Sequence, residues 1–130
     1  MLNFVNLTSQ TIDVLSDKGV VSIQPDSRGP VKIITASVED ESHDCVVNGE
    51  TYGITLGVQE DVVYIDNLPK PQPNTYYIVP SLVGRVISRI LGRDDLVIPA
   101  TSSGDRPIRA ENRRIMAVRK LIWMNPYDDE

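Results

Sequence analysis

VPSLVGRVISRILGRDDL, residues 79–96, holds the chain's one convincing helix. From Ser81 the apolar residues fall at Leu82, Val83, Val86, Ile87, Ile90 and Leu91. Gly84, Arg85, Ser88, Arg89 and Gly92 share the other side, so the spacing predicts an amphipathic helix over about 81–92. Ser81 fits an N-cap and Gly92 a C-terminal stop. The expected packing face is Leu82, Val86 and Ile90.

Outward from this helix the chain reads as strands. Upstream, Tyr76 to Val79 leads into it from LPKPQPN (68–74), where three prolines in six residues dictate a stiff extended connector. Val62 to Ile65 precedes that connector as a strand. VVNGETY (46–52) is the clearest hairpin signal, because Asn-Gly accepts the positive φ angles of a type I′ turn. EDESHD (39–44) has no apolar residue and predicts an exposed loop. Val31 to Val38 has strand character, and Thr11 to Val14 and Val20 to Ile23 flank SDKG (16–19) as a hairpin. Downstream, Leu96 to Pro99 forms a strand, followed by a polar ATSSGD loop. A hairpin turning at AENR (110–113) comes next, with a last strand from about Arg114 to Trp123. The expected fold is a single α+β domain over residues 1–130, mostly antiparallel sheet that could close into a barrel, with the one helix packed against it.

Composition narrows the functions. Charged residues at 24% and apolar residues at 41% are ordinary for a globular domain, and no apolar run reaches the length of a membrane span. MLNFVNLTSQ lacks the basic start of a secretory signal, which sets the cytoplasm as the expected location. One cysteine, Cys45, and one histidine, His43, give no disulfide and no histidine pair, so no metal or other cofactor is expected. His43 and Cys45 would share a strand face without a third orienting group, and scattered carboxylates supply no acid–base pair. ATSSGDRP (100–107) lacks the lysine and spacing of a phosphate-binding loop. Glu39, Asp40, Glu41 and Asp44 lack the spacing of a calcium loop. An enzyme is therefore the weakest of the functional classes.

Charge is unevenly distributed. Residues 1–84 sum to −7, residues 85–120 to +5 and the last ten to −3, giving the net −5. An acidic total argues against wrapping duplex nucleic acid. Eight of the nine basic residues in the middle block are arginine, the side chain whose planar fork suits carboxylate and phosphate. Arg85, Arg89 and Arg93 are spaced at one helical turn. One reading is that they offset the helix C-terminus and pair with Asp94 or Asp95. The other is that Arg85, Arg89, Arg93, Arg109 and Arg113, with Tyr76 or Trp123 as an aromatic surface, bind an anionic small molecule or an acidic protein surface. The −7 and +5 blocks would also let one copy meet another in a salt-sensitive homo-oligomer.

Five stretches carry a resemblance: NLTSQTIDV (6–14), VNGETYG (47–53), LPKPQPNTYYIVPSLV (68–83), DDLVIPAT (94–101) and RAENRRIMAVRKL (109–121). Together they resemble a family of small bacterial and bacteriophage proteins with no assigned reaction. The resemblance spans most of the chain in order. It implies a phage or prophage accessory protein in the host cytoplasm, such as a host-defence inhibitor or a nucleotide-sequestering protein. A virion structural or decoration protein is the alternative. The chain departs from the pattern at Asn112-Arg113-Arg114, where the glycine of a Glu-Gly-Arg turn is missing, and in its helix arginines.

Overall fold

The computed structural model describes residues 1–35, 40–57 and 62–127. In chain order the elements are β1 (Asn3–Asn6), β2 (Ile12–Ser16), β3 (Gly19–Ile23), β4 (Lys32–Thr35), β5 (Glu41–Val47), β6 (Glu50–Leu56), β7 (Val62–Asp66) and β8 (Thr75–Ile78). Then follow α1 (Ser81–Leu91), β9 (Leu96–Pro99), a 3-10 turn (Ser103–Asp105), β10 (Ile108–Arg109), β11 (Ile115–Ala117) and β12 (Leu121–Trp123). This is an α+β chain, mostly strand with one helix. It divides into a larger unit, Met1–Lys32 with Asn67–Glu130, and a smaller one, Ile33–Asp66.

The larger unit is organised by a four-stranded sheet in the order β1-β8-β9-β12. β1 pairs with β8 and β8 with β9 in parallel, and only β12 runs antiparallel to its neighbour. The antiparallel expectation therefore fails at the central sheet, although the β2–β3, β5–β6 and β10–β11 pairs obey it. The cause lies in α1. Tyr76 to Ile78 lies in β8, Val79 and Pro80 link that strand to α1, and a helix of 11 residues then carries the chain back so that β9 lies parallel beside it. No barrel closes among the described residues, where the other strands form four two-stranded pairs.

α1 packs by a different face from the expected one. Its buried residues are Val83, Gly84, Ile87 and Ser88, whereas Leu82 is 71% and Ile90 59% exposed. Gly84 explains the rotation. A Cβ there would stand 2.5 Å from Ile98 Cγ2, 3.1 Å from Val79 Cγ2 and 3.3 Å from Met124 Cγ, so the missing side chain lets the helix backbone settle onto the sheet. Val83 and Ile87 flank that contact and meet a core that includes Val79, Leu96 and Ile98. Burial of each such aliphatic side chain contributes about 1.5–3 kcal/mol. Ser81 is the first helical residue, with Pro80 in extended conformation at the cap position, and Gly92 ends the helix with φ 61° as expected.

A buried asparagine ties the start of the chain to the sheet. Asn6 is almost wholly buried at the end of β1, and its amide donates to the carbonyls of Gln10 (2.8 Å) and Ile23 (2.9 Å). Its Oδ1 accepts from the Thr8 backbone N–H at 2.9 Å and from the Thr8 hydroxyl at 2.7 Å. The Asn-Leu-Thr opening is thus a polar clasp, with Leu7 fully buried between its two members.

The smaller unit contains the Asn-Gly hairpin. Asn48 (φ 52°) and Gly49 (φ 84°) take the positive φ values that the turn requires, and β5 and β6 pair from Val47↔Glu50 to Glu41↔Leu56. The ladder runs through residues 41–44, which the apolar-poor sequence suggested as loop. Backbone hydrogen bonds carry a strand forward whatever its side chains, once the turn has set the register. Glu39 of that stretch, and residues 36–38 of the expected 31–38 strand, lie outside the described residues.

The closing strand is also divided. β11 ends at Ala117, Val118 forms a parallel bridge to Val14, and the chain re-pairs only at β12, where Leu121 to Trp123 join β9. No helix among the described residues is long and apolar enough to cross a membrane.

Candidate functional site

Arg85 and Arg89 lie one turn apart on α1, on the side that faces away from the core, and Ser88 sits between them and the sheet. Across from them, β12 and the residue pair after it contribute Ile122, Trp123, Met124 and Asn125. Together these seven residues line an open cleft of about 450 Å³, within the range of small-molecule sites. Neither guanidinium makes an ion pair among the described residues, so both keep their donors for something else. The Trp123 indole is held in place from behind. Its Nε1 donates to the Asp94 carbonyl at 2.7 Å while the residue stays 48% exposed. Two forked cations and a fixed aromatic surface in one cleft suit a ligand with an anionic group and a flat ring.

The other expected site residues are placed elsewhere. Arg93 is part of the structure: its Nε and Nη2 donate to the two carboxylate oxygens of Asp95 at 2.9 and 2.8 Å. Its guanidinium carbon also stands 6.0 Å from the Tyr77 ring centre. Both partners are largely buried, and the αL residue Gly92 turns Arg93 off the line of Arg85 and Arg89. Arg109 and Arg113 belong to the β10–β11 turn, where Arg109 Nη1 donates to the Arg113 carbonyl at 2.9 Å, and neither lines the cleft. Tyr76 stacks on Phe4 with ring centres 6.1 Å apart. It lines a separate apolar groove with Leu2, Phe4, Val97, Leu121 and Trp123, so Trp123 alone borders both hollows.

Ser88 and Asn125 complete the cleft without having been singled out in sequence. A serine between two arginines on a helix reads as solvated surface, and Asn125 lies in a tail with no periodic pattern. Only the antiparallel return of β12 beside β9 brings that tail next to α1. His43 and Cys45 share a face of β5, as period two requires, but the thiol does not bond to the imidazole ring. His43 Nε2 lies 3.1 Å from Glu41 Oε2, and the Cys45 thiol points to the His43 carbonyl at 3.5 Å. The ATSSGD stretch closes on itself, the Ser102 hydroxyl donating to Asp105 Oδ2 at 2.6 Å.

No protein-family model, curated protein or solved structure matches the chain.

Proposed function

We propose that this chain is a non-enzymatic binding protein whose Arg85–Arg89–Trp123 cleft takes an anionic small molecule with an aromatic ring, for which a nucleotide is the best-fitting class. The observation that carries this reading is the convergence of two guanidiniums, free of ion pairs among the described residues, with an anchored, half-exposed indole in a cleft of ligand size. Phosphate fits the forked donors, and a base fits the indole face. The resemblance to bacterial and phage proteins suggests the setting: an accessory protein that sequesters a nucleotide in the host cytoplasm and so disarms a defence that depends on it. A second reading, a virion component, is supported by a different observation, the wide apolar surface left uncovered on the smaller unit.

Calorimetry against linear and cyclic nucleotides tests the first reading. Binding should appear for at least one of them, and Arg85→Ala with Arg89→Ala should weaken it by about 2–5 kcal/mol, the range for truncating a charged partner in a desolvated site. Folding should change by less than about 1 kcal/mol, because both side chains are exposed and make no ion pair among the described residues. Heats equal to dilution across the whole panel would remove the nucleotide reading.

A further inference from the structure

The β5–β6 hairpin has two unlike faces. Period two places Cys45, Val47, Tyr52, Ile54 and Leu56 on one side with His43, Glu41 and Glu50. The opposite side presents Ser42, Asp44, Thr51, Gly53 and Thr55, with Val46 its one large apolar residue. An amphipathic ribbon of this kind normally buries its apolar side, since a two-stranded hairpin alone is marginal in water. Here every residue of β6 is exposed, with Tyr52 at 48% and Leu56 at 52%.

α1 has the converse property. It is apolar on two sides: Val83 and Ile87 face the sheet, while exposed Leu82 and Ile90, with half-buried Val86 between them, form a second stripe at intervals of four residues. A surface helix ordinarily carries one apolar stripe, and a second one calls for a second partner. At 100° per residue, Arg85 and Arg89 lie along the edge of this stripe, between it and the cleft.

We propose that the apolar face of the hairpin of one molecule packs on the Leu82–Val86–Ile90 stripe of a second copy of this chain. Two observations select a second copy as the occupant. The first is fit. Leu82 to Ile90 spans about 12 Å at 1.5 Å per residue, and Tyr52 to Leu56 about 13 Å at 3.3–3.4 Å per residue. Three apolar side chains on each element therefore meet in step. The second is charge. Residues 33–66 hold eight acidic side chains and no lysine or arginine, whereas the rest of the chain holds ten acidic and thirteen basic, so the two parts carry −8 and +3. The acids on the apolar side of the hairpin, Glu41 and Glu50, would meet the arginine-edged stripe, while two hairpins would repel one another. The contact uses Arg85 and Arg89 from their outer side and does not rest on the ligand reading.

Sedimentation of the full chain in low and high salt, with two variants and their mixture, tests the proposal. The wild type should self-associate at low salt and weaken as salt rises, as exposed charge pairs are screened. Ile54→Ser on the hairpin, and Leu82→Ser with Ile90→Ser on the helix, should each weaken association about tenfold or more, as truncation of a central apolar anchor does. All three positions are exposed, so the isolated molecules should keep wild-type circular dichroism. Mixed together, the two variants should recover a one-to-one complex, because one carries the intact stripe and the other the intact hairpin. Glu50→Lys should weaken association, and Arg85→Glu with Arg89→Glu on the other copy should restore it, an arm that stands even if an apolar variant misfolds. Val46→Ser, on the opposite face, should have no effect. A wild type that stays monomeric at low salt and millimolar concentration overturns the proposal and leaves the hairpin to a different protein. So does a mixture that associates no better than its components, or a Val46→Ser variant as damaged as Ile54→Ser. Nucleotide calorimetry on the Leu82→Ser, Ile90→Ser variant should match wild type, so failure of the cleft reading and failure of this one are separable.

Discussion

The sheet around α1 and the hairpin at 41–56 are built from similar apolar side chains and treat them in opposite ways. Val79, Ile87, Leu96 and Ile98 are buried almost completely, on strands and a helix that cover one another. Tyr52, Ile54, Leu56 and Val47 are exposed on a ribbon whose geometry is set locally by Asn48 and Gly49. The first region is held by burial, and its register follows from which side chains fit beneath the helix. The second is held by a turn and a backbone ladder, and its apolar side chains stay exposed. The difference teaches that local signals can specify an element completely while leaving its purpose to a surface outside it.

The comparison can be broken at its tightest point. Gly84→Val should cost about 3 kcal/mol or more, since a side chain at that position overlaps Ile98, Val79 and Met124. Denaturant unfolding would show it, and a loss under about 1 kcal/mol would mean that the helix does not approach the sheet as described. Asn6→Ala should cost about 2–3 kcal/mol, because it removes a buried amide that satisfies two carbonyls and accepts from Thr8. Thermal melting checks this, with Asn3→Ala on the exposed part of β1 as the near-neutral reference.

The hairpin should respond on a smaller scale and by itself. Gly49→Ala, at φ 84°, should cost about 1 kcal/mol of local stability, seen as faster amide exchange in β5 and β6 with little change in β8 and β9. Smallest of all, Arg113→Gly should raise the melting temperature slightly. Arg113 holds φ 66° in the β10–β11 turn, where an L side chain is strained, and the bond from Arg109 goes to its backbone carbonyl, which glycine keeps.

Much of this organisation was legible in the residues. The Asn-Gly turn, the helix limits, the glycine at its end and the proline connector all follow from backbone rules that act over a few residues. The orientation of α1 did not, because Gly84 and Ser88 read as a polar face when both are in fact buried and the missing side chain of Gly84 allows the close packing. The parallel β8–β9 pair was hidden for a related reason: β8 is only four residues long and runs almost directly into the helix. Of the site, Arg85, Arg89 and Trp123 were visible as forked cations and an aromatic. Arg93, with the same spacing, is distinguished from them only by Asp95, which holds it through both carboxylate oxygens. Spacing reports which side chains share a helix face; it does not report which of them already have partners.

Amide hydrogen exchange across a series of protein concentrations tests the contrast between the two regions most directly. The account predicts that protection in β8, β9 and α1 is the same at every concentration. In β5 and β6 it should be weak in dilute solution and rise as a second copy covers the apolar face. Hairpin protection equal to that of the central sheet in dilute solution, or unchanged at any concentration, would contradict it.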